Sequence, residues 1–146
     1  PHVFPKLVDH YLAKDLDCHR EQLVDSVRGS YFAIHANALE RCGGLDTRYF
    51  IWFDEVDYCK KVQAQGLKVA YVPSIRATDL VGQSFVQRES FWKQKHFTRS
   101  MMQYFEKWQP WWQTLVLKVV GLVVLLAVWV IDVLRKSKIK NQNAKV

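Results

Sequence analysis

The segment Tyr49-Phe50-Ile51-Trp52-Phe53-Asp54-Glu55-Val56-Asp57-Tyr58-Cys59 runs five apolar residues straight into three acids packed within four positions. Carboxylates that end an apolar run are ordinarily solvated helix starts, favoured there by the macrodipole. Here they follow aromatic side chains that tend to wall off water. Such a setting raises a carboxyl pKa, so that the group acts as a base, or lets it hold a cation. The segment is therefore the candidate active site, with plain helix capping as the competing role for all three acids.

Working outward, Asp54 to Gln65 reads as a helix with Val56, Cys59 and Val62 as its apolar stripe and Gly66 as the residue just past its end. Leu67 to Val72 alternates imperfectly and stops at Pro73, a strand signature. Upstream, Gly29 to Ile34 (GSYFAI) reads as a short strand, and Ala36 to Arg41 as a short helix. That helix ends at Cys42 before Gly43-Gly44, a pair suited to the positive φ of a cap and turn, and Asp46 follows in a tight connection. Residues 1–28 are mixed and polar, with weak helical spacing at Leu7, Tyr11, Leu12 and Leu16. Residues 74–85 read as a loop containing Gly82. A third helix is expected over residues 87–107, with Phe91, Trp92, Met101, Tyr104 and Phe105 set among Lys93, Lys95, His96 and Arg99, and Pro110 ends it.

The 146 residues are 49% hydrophobic, enough for one modest core, and they begin at Pro1, which reads as a fragment or a processed product. The net charge of +7 is unevenly placed. Residues 1–106 carry 14 Lys/Arg against 13 Asp/Glu, whereas residues 107–146 carry 7 against a single Asp. A nucleic-acid surface spreads its charge over a folded face, so nucleic acid is not expected as a partner. A basic run beside an apolar helix meets anionic lipid instead. Cys18, Cys42 and Cys59 have no metal-type spacing and read as reduced thiols, and His2, His10, His19 and His35 form no ligand motif with them.

Val119 to Ile131 is 13 residues without a charge, bracketed by Lys118 and Asp132. With Lys118 snorkelling, the segment reaches about 20 residues, the length that crosses a bilayer. Trp111 and Trp112 at its entrance suit the interfacial belt. Both flanks are basic, with Arg135, Lys136, Lys138, Lys140 and Lys145 following it. A single crossing from a cytoplasmic site puts that tail outside, against the positive-inside tendency. A helix lying in the interface keeps both flanks on one side, and composition leaves the two open.

The ordered set GSYFAI, CGGLDTRYFIWFDEVDYCKK (42–61) and GLKVAYVP (66–73) resembles the C-terminal half of the catalytic domain of inverting family-2 glycosyltransferases, in particular the bacterial rhamnosyltransferase-like branch of cell-surface polysaccharide assembly. The resemblance covers roughly residues 25–105. It implies an α/β fold, the C-terminal part of a GT-A-type nucleotide-diphospho-sugar transferase. The corresponding domains are residues 1–109 as the acceptor-side portion, 110–134 as a membrane-spanning or interfacial helix, and 135–146 as a basic tail. The base implied is Glu55, the second acid of the pair. The family more often has Glu followed by Asp, so Asp54 stays open as the alternative. Asp57 is implied as an orienting group.

Gly43, Gly44 and Asp46 would shape the turn that presents Trp52 and Phe53 to the acceptor, with Trp52 as a stacking surface for a sugar. Where the family usually has a histidine near the metal, this chain has Asp79, ahead of Gly82-Gln83-Ser84-Phe85. Aspartate also binds hard cations. His96 and Arg99 would meet the donor diphosphate, Arg99 as a bidentate donor.

The resemblance further implies a nucleotide-sugar donor, a lipid-linked or polysaccharide acceptor, and a site on the cytoplasmic side of the cell membrane. It also implies a divalent ion, Mg or Mn, held mainly by a DxD-type motif in an N-terminal half outside this chain, so that the chain alone transfers no sugar. A rival of another class is a non-enzymatic single-helix membrane protein with a small partner-binding domain.

Overall fold

Local punctuation sets the helices of the computed structural model, which describes residues 16–78 and 88–143, with side chains as far as Ser137. Helix α1, Ala36–Cys42, starts where His35 Nδ1 accepts the Asn37 amide at 3.2 Å. It stops at Gly43, whose φ of +70° turns the chain away. Gly44 does not adopt positive φ, so one glycine, not the pair, makes the turn. Helix α2, Asp54–Ala64, ends ahead of Gly66 at φ +72°. Helix α3, Ser90–Trp108, stops two residues before Pro110. Helix α4, Trp111–Asn143, runs 33 residues and carries the apolar stretch and the first basic residues of the tail on one continuous rod. Within it, Trp111–Ser137 is long and apolar enough to cross a membrane.

The expected α/β, GT-A-type fold is not what the described residues form. They are mostly helical, with one ladder of two short strands, β1 (Gln22–Leu23) and β2 (Ala70–Tyr71). The pair is antiparallel, Gln22 opposite Tyr71 and Leu23 opposite Ala70. Val24 extends it by donating its amide to the Val69 carbonyl at 3.0 Å. GSYFAI opens in a turn and bend over Gly29–Tyr31 and enters no ladder, and of residues 67–72 only two pair. Alternating, β-branched sequence fits a pleated surface, but a strand exists only when a neighbour takes up its amides and carbonyls. The partner that residues 67–72 do find lies in the 1–28 segment, whose weak pattern pointed to helix.

The small core gathers around one face of α2. Tyr58, Cys59 and Val62 are buried, together with Tyr49 from the connection that precedes the helix. Arg41 ties α1 to the end of α2 by donating to the Gln65 carbonyl at 2.7 Å, and Lys61 donates to the Gly44 carbonyl at 3.0 Å. Gln63 reaches the β1 side, donating to the Val24 and Asp25 carbonyls at 3.3 and 3.1 Å.

Helices α3 and α4 form an antiparallel hairpin. At one end Lys118 pairs with Glu106 at 2.8 Å. At the other, Lys136 pairs with Glu89 at 2.8 Å, and the Asp132 carboxylate accepts the Phe91 amide at 2.8 Å. That amide is one of the donors a helix start leaves without an intrahelical partner, so Asp132 caps α3 from across the hairpin. Thr98 and Thr114 are buried, and Gly121 lies on the α4 face that meets α3. A Cβ on Gly121 would stand 2.8 Å from Met102 Cε and 2.9 Å from Thr98 Cγ2.

Candidate functional site

Five apolar residues followed by acids could enter a helix in many ways. Here the chain takes a strained one. Trp52 and Phe53 both hold positive φ, 60° and 67°, immediately before α2. Left-handed conformations at bulky residues cost about 1–3 kcal/mol each and persist where surrounding contacts over-determine them. Helix α3 supplies those contacts. Ser100 donates its hydroxyl to the Ile51 carbonyl at 2.7 Å. The Trp52 ring packs edge-on to Phe97 at 5.9 Å between centroids, and Phe53 packs on Phe97 and Tyr104 at 5.4 and 5.6 Å. The Phe53 carbonyl accepts the Asp57 amide at 2.8 Å, which starts the helix.

The turn sends the three acids to different places. Asp57 is 1% exposed and points toward α3. It accepts from Lys107 Nζ at 2.7 Å, Trp108 Nε1 at 2.6 Å and the Tyr49 hydroxyl at 3.2 Å. Three donors on one buried carboxylate make a structural lock between α2 and α3. Burial and the Asp57 charge push the Tyr49 phenol well above its ordinary range.

Asp46 sits at the edge of the same network. It accepts the Arg48 amide at 3.1 Å and the Arg48 guanidinium at 2.6 to 3.2 Å, with Lys107 Nζ at 3.3 Å. The Arg48 guanidinium holds the Asp46 carboxyl far below the usual carboxylate range. Lys107 thus bridges two acids, and it was not singled out in the sequence. The signal was a lysine beside a tryptophan in the last turn of an amphipathic helix, which sequence alone reads as a solvated end.

Glu55 faces the other way. Its carboxyl lies against Gly29, where a Cβ would stand 3.5 Å from Glu55 Cδ. Burial pushes its pKa above the ordinary value, and the hydrogen-bonded Asp54 carboxyl beside it adds to the rise, while its own and the Gly29 backbone amides oppose it. Arg28 and Ser30, the neighbours of Gly29, line an open cleft of about 640 Å³ between residues 27–38 and 68–77. Tyr58, Cys59 and Val62 of α2 line it as well, and Arg28, His35 and Lys68 contribute its basic side chains. Neither Gly29 nor Glu55 lines the cleft itself; Glu55 packs against Gly29, whose two neighbours do line it, and lies one turn before Cys59. The Tyr58 hydroxyl is buried with no hydrogen-bond partner among the described residues.

The remaining sequence candidates are scattered. His96 packs between Trp92 and Phe50, with ring centroids 4.3 and 5.0 Å away. Arg99 is exposed on α3, and neither residue hydrogen-bonds to the acids. The Gly44 carbonyl is engaged by Lys61. Asp79 lies outside the described residues. Among those described, no three His, Cys, Asp or Glu side chains come together in a way that could hold a metal ion.

Comparison with known proteins adds a class and one particular relative. No protein-family model matches the chain, and no solved structure matches it significantly. A stretch of 57 residues is 28% identical to the rhamnosyltransferase WbbL of Escherichia coli (strain K12), covering 39% of this chain and 22% of that protein. The matched stretch thus spans under a quarter of the relative's length. It indicates a glycosyltransferase-like relationship and no finer assignment.

Proposed function

We propose that this chain is the acceptor-side portion of an inverting glycosyltransferase in which the Glu55–Asp54 pair supplies the base. Glu55 carries the proposal. It is a half-buried carboxyl of raised proton affinity, packed against Gly29 between two cleft-lining residues, following a strained aromatic turn and left out of the structural lock that engages Asp57. The 57-residue similarity to a rhamnosyltransferase supports sugar transfer as the reaction class.

In this reading the acceptor hydroxyl attacks the anomeric carbon of a nucleotide sugar. Its proton passes to Glu55, and the nucleoside diphosphate leaves from the opposite face. A base of raised pKa suits this work, because it holds the transferred proton more firmly than a free carboxylate does. Asp57 positions the pair by fixing α2 on α3. The resemblance assigns Trp52, Phe53, Gly44 and Asp46 to the acceptor and His96 and Arg99 to the donor diphosphate; in the fold none of them lines the cleft near Glu55, and Trp52 and Phe53 pack on α3. The acceptor is lipid-linked or a polysaccharide, handled at the cytoplasmic face of the cell membrane.

A divalent ion, Mg or Mn, belongs with the donor half outside this chain. Asp79 is its candidate contact here, and no step above passes through it. The test is Glu55→Gln in the intact protein that contains this chain. Turnover falls by roughly 100-fold or more while the unfolding midpoint does not fall. Full turnover in that variant removes Glu55 as base, and a protein that transfers no sugar from any nucleotide donor returns the partner-binding alternative.

A further inference from the structure

The apolar helix is not arranged as a membrane crossing. A crossing helix has its soluble domain at one end, but α4 has the rest of the molecule along its side. It is tied to α3 near both ends of the apolar stretch, by Lys118–Glu106 and by Asp132 and Lys136 with Phe91 and Glu89. The middle of α3 in turn holds the aromatic turn, through Ser100 to the Ile51 carbonyl and Phe97 against Trp52 and Phe53. Crossing would therefore carry Lys93, Lys95 and Arg99 of α3, and the turn behind them, to the depth of the hydrocarbon, where charged side chains are strongly disfavoured.

The outer side of α4 is nonetheless bare. Leu115, Val119, Leu122, Leu126, Trp129 and Val133 are each about half exposed or more, a contiguous apolar face larger than soluble monomers leave in water.

We infer that the α3–α4 hairpin lies in the plane of an anionic membrane, with α4 sunk on its outer face and α3 riding above it at headgroup level. Helices in contact sit about 8–10 Å apart, which matches the depth to which an interfacial helix sinks and leaves α3 among the phosphates. The charges fit an anionic leaflet. Lys95 and Arg99 are exposed on α3 and Arg135 is exposed at the far end of the apolar stretch, while Lys118 and Lys136 offset Glu106 and Glu89 in their ion pairs. Trp111 and Trp112, 77% and 54% exposed, sit at the α4 entrance, where indole belongs in an interface. This arrangement keeps both basic flanks on one side and so removes the topological conflict in the sequence. It rests on the membrane contact that the transferase proposal also uses, but not on sugar transfer.

The test uses the full chain in sealed vesicles of equal parts phosphatidylglycerol and phosphatidylcholine. Ser137→Cys is treated with a membrane-impermeant maleimide, with native exposed Cys18 as the internal reference and peptide mapping to separate the thiols. An in-plane helix labels both cysteines from the same side. Labelling from opposite sides establishes a crossing and overturns the inference.

In parallel, Val116→Cys, Val123→Cys and Val130→Cys carry an environment-sensitive dye quenched by lipids labelled at graded depths. Equal shallow depth at all three supports the plane, whereas a deep centre overturns it. Arg135→Gln weakens vesicle binding about five-fold. No vesicle binding, with concentration-dependent self-association instead, assigns the apolar face to a second copy and also overturns it. None of these readouts needs enzyme activity, so a failed transfer assay leaves them standing.

Discussion

At the scale of single residues, adjacent acids on one helical turn have opposite consequences because of what lies across from them. Asp57 meets three donors from outside its helix, and removing its carboxylate leaves Lys107, Trp108 and Tyr49 without their common acceptor. Asp57→Ala is expected to destabilise the fold by about 3 kcal/mol, read as a lower urea midpoint. Glu55 behaves in the reverse sense. Its folded pKa lies above the ordinary 4.5, so the folded state holds its proton more tightly than the unfolded chain does. The stability it contributes is fully present below 4.5 and is lost as pH rises through the folded value. Glu55→Gln should therefore melt higher than the parent at neutral pH, with the difference closing in acid, as thermal unfolding across that range would show. A parent that melts higher at neutral pH would mean that Glu55 is held as a charge, not poised as a base. The presence of an acid cluster was legible from DEVD, but the division of labour was not. It is set by Lys107, which lies 50 positions away from Asp57 in sequence.

At the scale of elements, helices were legible where their ends are written locally and strands were not. Gly43, Gly66 and Pro110 stop α1, α2 and α3 within a few residues of expectation, because each acts on its own backbone. GSYFAI and LKVAYV carried β character with nothing in the sequence to say what would pair with them. The α3–α4 contact is likewise non-local, and at Gly121 it leaves no room for a Cβ. Gly121→Ala gains up to about 1 kcal/mol of helix propensity but forces a methyl against Thr98, which is 2% exposed and β-branched. Met102 can swing its terminal methyl aside, but Thr98 has less room. The net expectation is a loss of about 1 kcal/mol, recovered in Gly121→Ala/Thr98→Ser, where the clashing Cγ2 is gone and the hydroxyl that accepts from Gln94 at 3.1 Å remains. Denaturant curves of the two single variants and the double variant read this coupling directly.

At the scale of the whole molecule, the site and the apolar hairpin form one structure. Among the described residues, the buried apolar side chains are Tyr49, Tyr58, Cys59 and Val62, too few to order the residues before α3 by themselves. What completes the site comes from α3: Ser100 for the strained turn, Phe97 and Tyr104 for its aromatic rings, and Lys107 and Trp108 for Asp57. Helix α4 in turn caps α3 through Asp132. A chain ending at residue 89 should therefore lose the turn at Trp52-Phe53 and the packing of Asp57, although the residues of α1 and α2 are all present. Near-ultraviolet circular dichroism of such a truncation should show no fixed tyrosine or tryptophan environment, and amide exchange over residues 49–62 should be as fast as in a free peptide. Protection there equal to that of the full chain would show that the site folds independently of the hairpin. A milder change separates loss of α3 from loss of its anchoring. Asp132→Ala keeps every residue of α3 but removes its cap, at a cost of about 1 kcal/mol. If the site depends on α3 being held against α4, amide exchange at the Trp52–Asp57 turn rises in that variant as well, far from the substitution. If the dependence is only on the presence of α3, the rise stays confined to the first turn after Glu89.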